Sequence, residues 1–122
     1  MIVAGFGFRG AATVESLRDA LSRAHDNINP THFATARDKA DTPAFQSFAK
    51  TLGAEIISVD STLLTAQQTT TQSAASQAAH GTGSVAEAAA LAAAGPGAKL
   101  LAPRAISGDR KATCALAEGD AT

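Results

Sequence analysis

Apolar and polar positions along the chain alternate between short hydrophobic runs and amphipathic stretches. "MIVAGFGF" is a run of β-branched and aromatic residues that closes on glycine and Arg9, the pattern of a buried strand. From Thr13 the period changes. In "TVESLRDALSRAH", Val14, Leu17, Leu21 and Ala24 share one helical face, with Glu15, Arg18, Asp19 and Arg23 elsewhere. Thr13 is placed to cap this helix, Glu15 sits at the positive end of its dipole, and "NINP" closes the unit. "THFATAR" reads as a second, weaker strand. Thr42 and Pro43 take the N-cap and first positions of a second helix, with Phe45, Phe48, Ala49 and Leu52 as its core stripe and Gly53 as its stop. "AEIISVD" is the third strand.

The next stretch, "STLLTAQQTTTQSAASQAAH", shows little period. Its Ser, Thr and Gln content suits a loop over residues 61–73, either a lid or a plain connection, followed by a short helix over 73–79. "HGTGSVAEAAALAAAG" then opens into a helix made almost wholly of alanine and broken by one acid, Glu87. After "GPG", the fourth strand "AKLLAPRAI" turns at "SGD" and returns as "RKATCALA", a hairpin whose last strand alternates; "EGDAT" is expected to fray. A β-α-β-α-β opening demands right-handed crossovers and a largely parallel sheet. The predicted fold is α/β: one domain over residues 1–122, three layers, with a mixed, mostly parallel sheet of about five strands ending in a hairpin.

Composition narrows the function. Hydrophobic residues make up 45% of the 122, alanine supplying much of that, while five Phe are the only aromatics. The core must therefore rely on aliphatic contacts and on close approach of small side chains. A net charge of −1 opposes nucleic-acid binding, yet it permits a local basic pocket for an acidic small molecule. No segment reaches the ~20 apolar residues of a membrane span. No basic region precedes "IVAGFGF", so no signal peptide is expected and the cytoplasm is the expected location. Cys114 stands alone and cannot form an internal disulfide. His25, His32 and His80 show no metal-ligand spacing, so neither a metal nor a cofactor is expected.

Two glycine loops carry the chemistry. "GFGFRG" fits the dinucleotide fingerprint, but the acid that should follow about 20 residues on is missing and Asp38 arrives late. Two of its glycines fall inside the strand, where they allow close packing, and the turn leaves Arg9 at the sheet edge. Ser84 and Glu87 form a capping box, the hydroxyl bonding the Glu87 amide and the carboxylate reaching back to the Ser84 amide. Gly81 and Gly83 bare the backbone ahead of a helix N-terminus, through plain turn geometry or to hold an anion. Topology brings Arg9, Arg37, Lys39, Arg104 and two helix N-termini to the carboxyl edge of the sheet, where open α/β sheets bind ligands; the implied ligand carries several carboxylates or phosphates. For catalysis, Ser84 is committed to its cap, no third group is seen to orient His80, and Asp38 and Asp41 are read as balancing Lys39.

The blocks "GFGFRGAATVESL", "ATARDKADTPAFQSFAKTLG", "HGTGSVAEAAALAAAG" and "KLLAPRAISGDRKATCALA" resemble, in order and spacing, the family of CobE and the CbiG C-terminal domain of cobalamin (vitamin B12) biosynthesis. The resemblance runs from about Ile2 to Ala117 and is most specific at "GTGSVAEAAAL". It implies a three-layer α/β domain with a mixed sheet. In the anaerobic pathway the family's domain follows another domain, and the whole protein opens a lactone on a cobalt-precorrin. The chain resembles the stand-alone form of the aerobic pathway, which implies a carrier or accessory protein for a precorrin or corrin intermediate, a polycarboxylated tetrapyrrole, working with other pathway enzymes. Ligand-binding positions implied by the resemblance are Gly7, Arg9, Gly10, Lys39, Gly81, Thr82, Gly83 and Ser84, with Arg104 standing where the family commonly has lysine. A rival reading, related to cobalt-precorrin-5A hydrolase, is a hydrolase or rearrangement enzyme using Lys39, His80 or Glu87 as acid or base.

Overall fold

Most helix signals in the sequence correspond to capped elements, though Thr42 precedes the helix that starts at Pro43 without a side-chain cap bond. The computed structural model describes residues 1–25 and 28–119. In chain order it contains β1 (Ile2–Phe8), α1 (Val14–Ala24), β2 (His32–Ala36), α2 (Pro43–Leu52), β3 (Glu55–Val59), α3 (Ser61–Thr65), α4 (Ala74–His80), α5 (Val85–Ala94), β4 (Lys99–Leu100), β5 (Ala105–Ile106) and β6 (Ala112–Glu118). Thr13 caps α1 through a reciprocal pair with Ser16, Asp60 caps α3, Ser73 caps α4 and Ser84 caps α5. Gly53 ends α2 at φ 69°, the left-handed conformation that glycine adopts without strain.

The sheet order is β3-β2-β1-β6-β4, with β5 also paired to β6. β1, β2 and β3 are mutually parallel, and β6 runs antiparallel to β1, β4 and β5. Strands β1 to β5 therefore share one direction and β6 alone opposes them, the mixed, mostly parallel sheet of an α/β fold.

Side chains alternate across β1 and split the core in two. Ala4 and Phe6 face α1 and α2 beside Phe33, Phe45 and Phe48. Phe6 meets Phe33, Phe45 and Phe48 edge-on at centroid distances of 5.1, 5.7 and 5.5 Å, and each such contact adds ~0.5–1.5 kcal/mol beyond area burial. Val3 faces α5 with Ala34, Ala36, Ala88, Ala89 and Ala117. The alanines let α5 settle onto the strand so closely that a Cβ built at Gly5 lies 2.6 Å from the Ala90 nitrogen and overlaps the Ala86 carbonyl.

Five sequence expectations are corrected. The stretch read as a loop over residues 61–73 opens with a short helix, α3, capped by Asp60. The fourth strand is broken: residues 101–103 bend, and β5 rather than a continuous strand forms the hairpin with β6. Pro103 has no amide to give the ladder, and the Arg104 amide goes instead to the Glu87 carboxylate at 2.8 Å. β2 is not weak; residues 33–36 are buried between β1 and β3. Leu52 is 50% exposed, because the last turn of α2 passes the end of the core. Of "EGDAT", Glu118 belongs to β6 and the Gly119 amide bonds the Met1 carbonyl at 2.9 Å, while residues 120–122 lie outside the described residues, as does Asn27 of "NINP".

Candidate functional site

A cleft of about 320 Å³ opens where β1 ends and β6 begins. β1 contributes Gly7 and Phe8 and its following turn Arg9; the loop after β2 contributes Lys39; α4 contributes His80; Val85 opens α5 on its wall. Arg104 enters beside β5, and the turn between β5 and β6 adds Arg110 and Lys111. Among the described residues no carboxylate lines this cleft, and none of the five Lys and Arg side chains makes a salt bridge with one. The Lys39 ammonium lies 5.7 Å from the centre of the Phe8 ring, a cation–π contact on the cleft wall. The remaining lining is small or apolar, including Ala75, Ala79, Val85 and Ile106. Gly7 has its own steric reason: a Cβ there lies 3.0 Å from Thr113 Oγ1 and 3.3 Å from Val85 Cβ.

His80 acquires a partner that its local sequence does not show. Its Nε2 lies 3.3 and 3.4 Å from the two Asp38 oxygens, across 42 positions of sequence, and its side chain is 19% exposed. The expectation that nothing orients His80 is therefore corrected, and Asp38 serves His80 rather than Lys39. The loop after β2 places these residues, with the Lys39 and Ala40 amides both bonded to the Ala36 carbonyl.

Glu87 is the second correction. Ser84 Oγ does accept from the Glu87 amide at 3.2 Å, but the carboxylate does not reach back to complete the box. It is fully buried and accepts from the Thr71 amide at 2.9 Å, the Thr71 hydroxyl at 2.6 Å and the Arg104 amide at 2.8 Å. Burial pushes its carboxyl up, but the Thr71 hydroxyl and the amides of Thr71, Arg104 and Thr70 together hold it below the ordinary range. One buried carboxylate thus joins α5, the loop before α4 and the strand break at Arg104. It does not itself line the cleft.

The glycine loop turns away from the cations. Gly81 ends α4 at φ 68°, and Gly83 passes under residues 71 and 72, where an added Cβ overlaps the Thr71 carbonyl. Ser73 donates its amide to the Gly83 carbonyl at 2.7 Å. Gly81, Thr82 and Gly83 line a separate pocket of about 430 Å³ walled by Thr and Gln. The Thr82 hydroxyl has no partner among the described residues, but it is shut off from solvent. Ser84 is buried and occupied by its cap. Gly10 and Arg37 are exposed and line neither pocket. Of the sequence candidates, the structure brings Gly7, Arg9, Lys39, His80 and Arg104 to one cleft.

Arg110 and Lys111 were not singled out in the sequence, where "SGDRK" reads as an ordinary polar turn. The informative residue there is Asp109. Its carboxylate accepts from the Ser107 hydroxyl at 2.6 Å, the Ser16 hydroxyl of α1 at 2.6 Å and the Lys111 amide at 3.0 Å. Those bonds, led by the two hydroxyls, hold its carboxyl down to about 2. Asp19 of α1 takes the Gly108 amide at 2.6 Å; that bond and the Arg23 side chain lower its carboxyl too. An Asp two residues after a Ser in a hairpin turn is the signal that could have marked this loop as built rather than slack.

Comparison with known proteins places this geometry. Residues 2–117 match the family described as cobalamin synthesis G C-terminus. The fold superposes on the crystal structure of CobE, a protein from the cobalamin biosynthetic pathway, with a TM-score of 0.86 and 30% identity over 96% of this chain and 92% of that one. It superposes on cobalamin biosynthesis protein chiG from Agrobacterium tumefaciens with a TM-score of 0.74 and 34% identity over 99% of this chain and all of the other (100%). No curated protein sequence matches the chain. No helix among the described residues is long and apolar enough to cross a membrane. The chain belongs to the cobalamin synthesis G C-terminus family of cobalamin biosynthesis proteins.

Proposed function

We propose that the cleft binds a polycarboxylated precorrin or corrin intermediate, and that the protein carries it or presents it to other enzymes of cobalamin synthesis. One observation carries this reading: Arg9, Lys39, Arg104, Arg110 and Lys111 line a single cleft that no carboxylate among the described residues lines. Unpaired cations beside Phe8 and a wall of alanines suit a ring that is apolar on its face and acidic at its rim. Family membership supplies the pathway in which such rings occur. The guanidinium of Arg104 keeps the charge of the family's lysine and adds a fork that matches a carboxylate, though it cannot serve as a base.

The second reading is a hydrolase or rearrangement enzyme acting on the same ring. The His80–Asp38 pair favours it, because an aspartate that orients a cleft histidine is an arrangement used in general acid–base chemistry. Lys39 lines the same cleft, whereas Glu87 is enclosed by its three donors and has no access to a ligand there.

Co-expression with the pathway enzymes, followed by a visible spectrum and mass analysis of whatever stays bound, tests both. A coloured, stoichiometric ligand whose mass is unchanged on incubation supports the carrier. A mass change in the presence of this protein alone, abolished by His80→Ala, supports the enzyme. A colourless protein that takes up none of the intermediates overturns both.

A further inference from the structure

Lys111 and Arg110 reach the cleft from a turn whose shape is imposed. Arg110 is the single non-glycine residue with positive φ among the described residues, at 62°. L-residues are rarely left-handed, and Arg has none of the local side-chain bonding that lets Asn or Asp tolerate that region. The neighbourhood fixes it. The Arg110 amide bonds the Ser107 carbonyl at 2.9 Å, and the Ser107 amide bonds the Ala112 carbonyl at 2.9 Å. Ser107 Oγ accepts from the Ala112 amide at 3.1 Å while donating to Asp109. The turn is moored to α1 twice, by Ser16 to Asp109 and by Gly108 to Asp19. It is also tied to β1, since the Arg9 amide bonds the Lys111 carbonyl at 2.9 Å. The Asp109 carboxylate is filled by two hydroxyls and an amide, and it makes no ion pair with Arg110 or Lys111. The two cations are therefore shaped by an acid that closes a salt bridge with neither of them.

We infer that Asp109 is a positioning residue of the cleft: it locks the β5–β6 turn in the form that presents Arg110 and Lys111 to an anionic ligand. The inference rests on the proposed polycarboxylate reading of the cleft. It makes the turn a preformed jaw, so the cost of ordering two long cationic side chains' backbone is met during folding rather than on binding. Asp109 acts through the turn and touches no ligand.

The test is a double-mutant cycle with an octacarboxylate porphyrin as the probe, binding being read from the porphyrin absorbance band. Asp109→Ala should weaken binding roughly tenfold, the scale of losing a well-placed charged hydrogen bond. In an Arg110→Ala/Lys111→Ala background the same change should cost nothing further, because the residues through which it acts are gone. Hydrogen exchange at the Lys111 and Ala112 amides gives a ligand-free readout and should accelerate in Asp109→Ala. If Asp109→Ala does not fold, Asp109→Asn, which keeps one acceptor oxygen, runs the same cycle. Wild-type affinity in Asp109→Ala, or an equal loss in both backgrounds, overturns the inference and leaves the cleft reading intact. A wild-type protein that ignores the porphyrin overturns the cleft reading itself, and with it any ligand role for the turn, whatever the amides do.

Discussion

Gly5 and Phe6 are neighbours in β1, yet they face two different kinds of packing. On the Phe6 side, all five phenylalanines gather against α1 and α2, with Phe8 stacked on Phe45 and Phe33 on Phe48 at 5.5 and 5.0 Å. Cohesion there comes from large apolar area and ring contacts. On the Gly5 side, alanines and glycines replace bulk with proximity, and α5 lies almost on the strand. The two layers have different jobs. Cys114 sits in the aromatic layer, and burial pushes its thiol well above the ordinary range. The small-residue layer fixes where α5 starts, and with it Val85 at the cleft and Glu87 under Arg104. Close packing is thus placed where position matters to the site.

The contrast predicts that the two faces are damaged by opposite changes in volume. Phe6→Ala removes a ring from the middle of the aromatic layer and should cost about 3–5 kcal/mol in urea unfolding. Gly5→Ala adds a single methyl and should cost about 3 kcal/mol, since the atoms it meets are backbone and cannot swing aside. A cost below about 1 kcal/mol for Gly5→Ala would show that α5 can shift, and the two faces would then differ in composition only.

How much of this was readable in advance follows from where the partners lie. The amphipathic helices and the strand glycines announce themselves within a few residues, so Thr13, Gly53 and the "GFGF" strand were legible, and so was a helix able to lie close on a sheet. The short helix α3 was not, since it falls in a Thr- and Gln-rich stretch without period. The rest depends on contacts that leave no local trace. Glu87 finds Thr71 and Arg104, 16 and 17 positions away, one of them in a Thr-rich stretch without period. His80 finds Asp38 at a separation of 42. Arg9, Lys39 and Arg104 line one cleft because strand direction alone brings them to one edge. Gly81, Thr82 and Gly83 line a separate pocket instead, because a loop can turn under its neighbour within three residues and no sequence pattern says so.

Glu87→Gln bears on the junction between the small-residue layer and the cleft. An amide at that position offers one acceptor where a carboxylate serves three donors, and leaving buried donors unmet should cost about 1–3 kcal/mol. Because the folded carboxyl is lowered, its contribution is complete above the ordinary carboxyl range near 4.5 and fades as pH falls through the folded value. The difference in stability between the two proteins should therefore be largest near neutrality and shrink in acid. A pH-independent gap would mean that Glu87 is held by shape alone.

Arg9→Ala completes the series, with the smallest effect on the fold. Arg9 is exposed, and its structural bond is made by its amide to Lys111, which the substitution keeps. Stability should change by less than about 0.5 kcal/mol, as for surface positions in general. Porphyrin affinity should nevertheless fall, and the deficit should narrow as added salt screens the attraction that Arg9 supplies in the wild type. This separates the two layers by consequence: Phe6→Ala damages the fold and reaches the ligand only through unfolding, whereas Arg9→Ala damages the ligand site while the sheet stands. Unchanged affinity in Arg9→Ala would remove Arg9 from the binding set and shift the weight of recognition to the β5–β6 turn.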